Sequence, residues 1–377
     1  MDPDLLAALQ PHLADISPDL PEATRKIHHS SALCFLYLFL SLGSQKSAPC
    51  VYTLRSTIPI GAGLGSSASI AVCLSTALLL QIRALSGPHP DQPPDESLLQ
   101  IERINRWAFV AEMCIHGNPS GVDNTVSAGG KAVHFKRMDY SRPPVVTALR
   151  DFPELPLLLV NTRQSRSTAA EVAKVAVLKK THPEITNLVL DAIDRVTESA
   201  HALIGSDDFD ADDFDDLKTL GELITINHGL LVSLGVSHPK LERIRALIDH
   251  TGIGWTKLTG AGGGGCAITI LKPDATDFDI NTKNRKQLKI RHELEEQLTE
   301  EGFEIFPITL GGDGVGILWP AVLHNASGEE GGEEIDQEKF LMAEGNKGIE
   351  QLVGVNTSKP RMGLAEESRE GWRFWRG

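Results

Sequence analysis

Apolar and polar positions follow a helical period in some parts of the chain and a strand period in others. Residues 22 to 42 have helical character, and their most apolar stretch, Ala32 to Leu42, is far short of the roughly 20 residues that span a bilayer. Residues Cys50 to Ile58 alternate and are rich in β-branched side chains, which predicts a half-buried strand. A helical apolar run follows from Ser67 to about Ala84. The pattern therefore predicts a buried helix, a strand and a second helix.

The next helix is marked at both ends by its sequence. Ser97 and Gln100 form a capping box, which predicts a helix that begins there and runs to about His116. Gly117 is placed to end this helix. Two runs typical of strands come next, at Lys131 to Lys136 and at Leu155 to Asn161.

The middle of the chain is almost wholly helical. Residues 167 to 250 divide into four helical segments, which are separated by His182-Pro183, by the acidic stretch Ser206 to Asp216 and by His238-Pro239. Strands return at Gly265 to Leu271 and at Glu304 to Trp319, on either side of a charged helix near residues 285 to 301. Because strands and helices mix without strict βαβ alternation, the predicted fold class is α+β rather than a doubly wound sheet.

Proline and composition divide the chain into two domains and a tail. Pro143-Pro144 interrupts both periodicities, which predicts a first domain over residues 1 to 145 and a second over 146 to 325. Residues 326 to 377 are predicted to form an acidic, partly disordered tail, because Ser327 to Glu334 are rich in Gly and Glu. Within the tail, Lys339 to Val355 retains a helical pattern, and the terminal aromatic cluster is able to dock on the body.

Charge and cysteine usage narrow the class of function. The chain has 36 Lys and Arg against 50 Asp and Glu, for a formal charge of -14. That excess of acid argues against nucleic acid or an anionic membrane surface as the main partner. The five cysteines have no metal-ligand spacing, which predicts reduced thiols in a cytoplasmic protein. An anion that binds this chain must therefore be held locally.

A glycine-rich loop lies between the predicted strand and the helix after it. Its residues are Gly61, Ala62, Gly63, Leu64, Gly65, Ser66 and Ser67. Glycines let backbone N–H groups turn toward a ligand, and the helix start adds positive charge, so the loop suits a phosphate. It is neither a Walker loop, since no Lys follows the glycines, nor a dinucleotide fingerprint. A strand-to-helix turn with a serine N-cap is the alternative, and a serine hydroxyl that binds Mg²⁺ is another use of these residues.

Two further loops strengthen the phosphate interpretation. Residues Gly117 to Asn124 are polar and rich in turn-forming residues, and Gly260 to Gly265 are nearly all glycine and precede a predicted strand. Three such loops in one chain, each beside regular structure, suggest backbone that is folded closely around a polyanion.

Two carboxylates lie where phosphoryl transfer to an alcohol needs them, close to these loops. Glu112 is at the edge of the apolar seam of its helix, in the final turns, where a metal or cation would offset the unfavourable helix dipole and partial burial. Asp123 lies in the loop just after that helix and is able to accept the proton of a substrate hydroxyl. The alternatives are a solvated Glu and an Asp that caps a local turn.

Three long strings carry a resemblance to a known family. They are PIGAGLGSSAS at 59 to 69, WAFVAEMCIHGNPSGVDNTVSAGG at 107 to 130 and KLTGAGGGGCAITIL at 257 to 271. In order and spacing these strings resemble motifs of the GHMP small-molecule kinases, and the middle string resembles the mevalonate kinases among them. The resemblance extends over about residues 20 to 320.

The resemblance implies an ATP-dependent, two-domain GHMP kinase with a ribosomal protein S5-like N-terminal domain, which is incomplete here, and a ferredoxin-like C-terminal domain. It implies that ATP is bound by Ser56, by Gly61 to Ser67 and by Gly260, Gly262 and Gly263. Ser67 and Glu112 would bind Mg²⁺, Asp123 would be the catalytic base, and Thr168 would contact mevalonate. Further family expectations are a role in sterol and isoprenoid synthesis, a homodimer, and feedback inhibition by prenyl diphosphates.

The resemblance has one departure and leaves alternatives open. Family members begin with a strand and a PGKxxLxGEH-like motif that carries a catalytic Lys, and no such string occurs here. A truncated gene model, an incomplete catalytic set and little activity are therefore expected. One alternative is another GHMP kinase, which acts on galactose, homoserine or phosphomevalonate. The other is a catalytically silent relative that binds nucleotide.

Overall fold

The computed structural model describes the chain with gaps. The described residues are 1–44, 49–58, 64–137, 144–273, 282–322, 334–353, 355–356, 360–361, 364–365, 368–369 and 371–376. Every structural statement below concerns these residues.

Helices dominate the first part of the chain. They are α1 (Pro3–Leu13), α2 (Glu22–Leu42), α3 (Ser66–Gln81), α4 (Pro94–His116) and α5 (Val122–Gly129). An antiparallel hairpin follows, made of β1 (Ala132–Lys136) and β2 (Val145–Leu149).

The second part combines four antiparallel strands with five helices. Its elements are β3 (Leu155–Asn161), α6 (Thr168–Thr181), α7 (Pro183–Ile204), α8 (Phe214–Ser233), α9 (Pro239–Thr251), β4 (Gly254–Leu258), β5 (Cys266–Leu271), α10 (Thr282–Glu300) and β6 (Glu304–Leu310). The strand order in the sheet is β4-β5-β3-β6.

The last part of the chain returns to the body. It contains β7 (Gly316–Leu318), α11 (Gln337–Met342), α12 (Gly345–Leu352) and the short pairs β8 (Val355–Asn356) with β11 (Ser368–Arg369) and β9 (Pro360–Arg361) with β10 (Leu364–Ala365). Finally, β12 (Trp372–Phe374) pairs with β7.

Helices cover both faces of the four-stranded sheet. All residues of β3 are buried, as is expected of a central strand. Alternate residues point to opposite faces: Leu158 and Val160 pack against α9 and α10. On the other face, Leu155 and Leu157 pack against α8. This rigid layer carries the glycine-rich segment between β4 and β5 at one edge.

A second core lies among the helices of the first part. Leu38 of α2 and Ile104 of α4 are fully buried there, and Ala71 and Ala108 allow α3 and α4 to approach closely. Trp375, from the far end of the chain, is only 1% exposed and belongs to the same core. The terminal aromatic cluster, which the sequence shows to be able to dock on the body, therefore does so through Trp375.

Most predicted helices are confirmed. The four helical segments between residues 167 and 250 are α6 to α9, and the buried helix at Ala32 to Leu42 is the second half of α2. Gly117 has a φ of 74° and ends α4 as predicted. Helices α1 and α5 and strands β2 and β4 were not predicted from the sequence.

Two local predictions are wrong. Residues Cys50 to Ile58 form no strand within the described part of the chain, because no described strand pairs with their backbone. The capping box is also wrong, since α4 begins earlier, with Pro94 in its first turn. Gln100 instead accepts the indole N–H of Trp375 on its side-chain oxygen at 3.1 Å.

None of the described helices is long and apolar enough to cross a bilayer.

Candidate active site

The described end of the first glycine loop lies against the sheet of the second part. Gly61, Ala62 and Gly63 are outside the described residues. Leu64 packs against Leu159 and Cys266, and Cys266 follows directly on the third glycine loop. The first and third loops are therefore brought to the same region.

Gly65 and the two serines after it begin α3. Gly65 is the N-cap residue, with a left-handed φ of 69° and no side-chain cap, so the alternative of a serine N-cap is wrong. The hydroxyl of Ser67 instead lies 3.1 Å from Nε2 of His116. Ser66 is half-buried in the first turn of the helix. The Ser67 hydroxyl is thus available to the site rather than to the helix end.

Glu112 is a buried carboxylate beside this hydroxyl. Its side chain is 4% exposed, and its Oε1 has no hydrogen-bond partner among the described residues. Its Oε2 lies 3.9 Å from Nε2 of His116, one helical turn later. Burial raises the pKa of Glu112 above its usual value, although the Ser67 hydroxyl and His116 oppose the shift. A buried carboxylate oxygen without a partner is costly unless a ligand completes it.

Asp123 is an exposed carboxylate in the first turn of α5, after the left-handed Gly121. A Cβ added at Gly65 would lie 3.3 Å from the Cβ of Asp123, so the first loop and Asp123 are in direct contact. The turn is fixed from behind, because the hydroxyl of Thr125 donates to the carbonyl of Gly121 at 2.7 Å and accepts from the amide of Asn105 at 3.1 Å.

The third glycine loop is held by close backbone packing. Gly260, Gly262 and Gly263 all have left-handed φ values, of 59°, 78° and 72°. A Cβ at Gly262 would lie 1.9 Å from the carbonyl oxygen of Val236, to which the N–H of Gly263 donates at 2.7 Å. The geometry therefore requires glycine, for conformation and for space.

One arginine and one glutamate side chain border this third loop. A Cβ at Gly260 would lie 3.0 Å from the guanidinium of Arg166, which donates to the carbonyl of Thr259 at 3.0 Å. A Cβ at Gly263 would lie 2.4 Å from Oε1 of Glu171, on α6. The start of α6 is therefore adjacent to the third loop.

Ser56 and Thr168 have only local contacts among the described hydrogen bonds. The hydroxyl of Ser56 accepts the N–H of Ile58 at 3.3 Å. Thr168 is exposed at the first position of α6, whose N-cap Ser167 accepts the N–H of Ala170 at 3.3 Å. These contacts do not join Ser56 or Thr168 to Asp123. Thr168 lies one helical turn before Glu171, which borders the third glycine loop.

A buried histidine supports the third loop from behind. His228 is 1% exposed, and its Nδ1 accepts the N–H of Leu258 at 3.1 Å. Its Nε2 therefore carries the hydrogen and donates to Oε1 of Glu242 at 3.0 Å. Ser237, next to Val236, donates to the same oxygen. Nearby, burial lowers the pKa of Lys257 to about 8, and its ammonium donates to the carbonyl of Leu258.

Sequence reasoning missed His116, Arg166 and His228. The first had a usable signal, since it lies four residues after Glu112 and so shares its helix face. The other two contact residues that are distant in the sequence, and no periodicity indicates such pairs.

Comparison with known proteins identifies the family. The model for the GHMP kinases N terminal domain matches residues 31–131, and that for GHMP kinases C terminal matches residues 210–289. The mevalonate kinase of Gibberella zeae is 64% identical over 378 residues, which cover 100% of this chain and 71% of that protein. That of Aspergillus fumigatus is 64% identical over 376 residues, which cover 100% of this chain and 66% of that protein.

A solved structure supports the fold. The structure of L. major mevalonate kinase in complex with R-mevalonate matches with a TM-score of 0.57 at 24% identity, over 78% of this chain and 81% of that one. The predicted two-domain α+β GHMP kinase fold is thereby confirmed. With relatives this similar over its whole length, the chain belongs to the mevalonate kinases of the GHMP kinase family.

Proposed function

We propose that this chain transfers the γ-phosphoryl group of ATP to the 5-hydroxyl of mevalonate, in isoprenoid and sterol synthesis. The observation that carries the proposal is the contact of Asp123 with Gly65, beside a buried Glu112 that lacks a partner on one oxygen among the described residues. A carboxylate at the edge of a phosphate loop and a second one nearby are what phosphoryl transfer to an alcohol needs. The similarity to fungal mevalonate kinases supports the choice of alcohol.

Asp123 is proposed as the catalytic base. The carboxylate is exposed and so able to reach a bound hydroxyl, and it is oriented by the fixed turn that begins α5. It would accept the hydroxyl proton as the oxygen attacks the phosphorus.

The residues around Glu112 fit a magnesium ion. Mg²⁺ prefers oxygen ligands and is commonly held by one or two carboxylates together with substrate phosphates. The buried Oε1 of Glu112, which has no partner among the described residues, and the hydroxyl of Ser67 supply such ligands. When bound, Mg²⁺ neutralises charge on the phosphates of ATP.

The glycine loops are proposed to hold the phosphates of ATP. Gly65 and Ser66 place backbone N–H groups at the positive end of α3, and the packing of Leu64 on Cys266 supports the assignment of Gly260, Gly262 and Gly263 to the same phosphate site. Ser56 and the undescribed Gly61 to Gly63 complete the nucleotide side, and Thr168 is assigned to mevalonate. A cytoplasmic homodimer is also proposed on the family resemblance.

Substrate selectivity tests the proposal. ADP release is measured with mevalonate, galactose, homoserine and phosphomevalonate, and mevalonate is expected to have the highest kcat/KM. Asp123→Asn serves as the control, because it must remove the activity if the measured ADP comes from this site. A higher kcat/KM for another alcohol would overturn the choice of substrate. Nucleotide binding without turnover of any alcohol would instead favour the silent relative.

A further inference from the structure

The segment that leads into the first glycine loop lacks the support of a sheet. Residues 49–58 contain Ser56 and precede the loop directly, yet they belong to no helix or strand. Tyr52 packs against Phe35 and Phe39 of α2, but beyond it Leu54 is exposed, so apolar packing contributes little to fixing the residues that follow Tyr52. We call residues Thr53 to Thr57 the nucleotide arm. Some other contact must set its position if the loop is to be preorganised for phosphates.

Arg55 makes three of the hydrogen bonds that hold the arm. Its guanidinium donates to three backbone carbonyls at and just beyond the C-terminal end of α11, at 3.2, 3.0 and 2.9 Å: those of Phe340, Leu341 and Ala343. The last carbonyls of a helix have no partner within the helix and carry partial negative charge. A planar guanidinium has several N–H donors in a fixed arrangement and so is suited to bind several such carbonyls at once, whereas an ammonium is less suited.

Two further bonds join the arm to the same segment. The side-chain amide of Asn346 donates to the carbonyl of Thr57 at 3.0 Å, and that of Gln337 donates to the hydroxyl of Thr53 at 3.4 Å. The arm is therefore bonded at its beginning, middle and end to residues 337 to 346. These bonds span 284 to 289 positions of sequence, so the two segments meet only in the folded protein.

The segment that holds the arm is itself attached to the body. Its helix α12 buries Ile349, and the carbonyl of Val353 accepts the indole N–H of Trp372 at 2.8 Å. Strand β12 pairs with β7, and Arg376 forms two bonds to Asp313 at 3.0 and 2.8 Å. A displacement of the arm would thus have to break contacts to an anchored partner.

We propose that Arg55 and residues 337 to 346 form a clasp that positions the nucleotide arm, with Arg55 as the positioning residue for ATP binding. The inference rests on the proposed function only in that ATP occupies the first glycine loop. Loss of the clasp leaves the phosphate donors present but less well placed, so nucleotide affinity falls while the chemistry of Asp123 is retained. We expect KM for ATP to rise about tenfold, with little change in kcat or in KM for mevalonate.

Four variants test the clasp from both sides. Arg55→Ala removes the three bonds, and Arg55→Lys retains charge but not the planar fork, so it should recover only part of the ATP affinity. Asn346→Ala removes the bond to the carbonyl of Thr57 and leaves the sequence of the arm unchanged. Arg195→Ala is the matched control, because it removes an exposed arginine that bonds to Glu198 on the distant α7.

The readouts are KM for each substrate, kcat, the affinity for MgADP by calorimetry, and Tm. The clasp predicts weaker ATP and MgADP binding in Arg55→Ala and in Asn346→Ala, and a wild-type profile for Arg195→Ala. A fifth variant that combines Arg55→Ala with Asn346→Ala should lose less affinity than the sum of the two single losses. Unchanged MgADP affinity in both single variants would overturn it. So would equal rises of both KM values with a fall in Tm, which indicate a structural role. A wild-type protein that binds MgADP but does not phosphorylate mevalonate overturns the proposed function and leaves the clasp measurable by calorimetry.

Discussion

The two sides of the candidate site satisfy their polar groups in different ways. On the side of α3, α4 and α5, Glu112 has an oxygen without a partner among the described residues, and Asp123 is exposed. On the side of the third glycine loop, charged side chains are paired: His228 with Glu242, and Glu171 with Lys174 at 2.8 Å on both oxygens. The first side thus has a carboxylate oxygen that a ligand can complete, whereas the charged side chains named on the second side already have protein partners.

This difference suggests that the first side carries the reactive groups and that the second side fixes the shape of the site. Buried polar groups that lack a partner cost free energy, and they persist where a ligand or a reaction uses them. Close-packed glycine backbone instead fixes a surface that other side chains would disrupt. We therefore expect substitutions on the first side to change rate and metal use, and substitutions on the second side to change stability and ATP affinity.

The largest expected effect is that of Asp123→Asn. The amide keeps the size of the side chain but removes the base, so kcat should fall by about 10² or more. MgADP affinity should stay near that of the wild type, because the glycine loops are unchanged. Steady-state kinetics and calorimetry measure the two quantities. Near-normal turnover would reduce Asp123 to a turn residue.

Gly262→Ala should disrupt the backbone packing of the third glycine loop. The added Cβ would lie 1.9 Å from the carbonyl oxygen of Val236, at a φ of 78°. We expect the free energy of unfolding to fall by about 2 kcal/mol and KM for ATP to rise. Gly235→Ala is the matched control, since its φ of 74° is similar but its Cβ has no described atom within 4 Å. Equal losses in chemical denaturation would mean that conformation alone, and not packing, requires the glycine.

Glu112→Gln should chiefly change the use of magnesium. The amide is a weaker ligand, so the apparent KM for MgATP should rise roughly tenfold and half-saturation should require more Mg²⁺. Because burial raises the pKa of Glu112, acidification should protonate the wild-type carboxyl sooner than an exposed one and weaken metal binding in the same direction. Superimposable metal titrations of variant and wild type would contradict the assignment.

The smallest expected effect is a change of pH dependence at His228. Burial lowers its pKa below the usual value near 6.5. The unfolded chain therefore binds more protons between the two values, and the free energy of unfolding should fall as the pH drops below about 6.5. His228→Gln should flatten this slope, which denaturant unfolding at several pH values measures. His250→Gln, at an exposed histidine of α9, should leave the slope unchanged.

The sequence predicts elements whose cause is local and fails where the cause is distant. The breaks at His182-Pro183 and His238-Pro239 delimit α6 to α9 correctly, because proline acts on its own neighbourhood. Alternation at Cys50 to Ile58 predicts a strand wrongly, since a strand also needs a partner that the pattern does not supply. Residues 53 to 57 bond instead to residues more than 280 positions away.

The candidate site divides in the same way. The sequence predicts Glu112 and Asp123 as site residues because they lie close to the glycine-rich loops. In the structure Asp123 lies beside Gly65, and the hydroxyl of Ser67 lies beside Glu112. Their catalytic roles stay predictions. The support of the third loop by His228, which bonds to Leu258 at a separation of 30 residues, has no local signature. Gly61 to Gly63, central to the phosphate interpretation, lie outside the described residues.

The burial of Trp375 has a consequence for the order of synthesis. Its indole donates to Gln100 across 275 positions, inside the core that α2, α3 and α4 share. On the ribosome those helices emerge long before Trp375, so their core stays incompletely packed until Trp375 has been synthesised. The closing contact spans most of the chain, which makes it slow to form by random search. The core of α2, α3 and α4 is therefore translated early but completed late, and chaperones have a long interval in which to act on it.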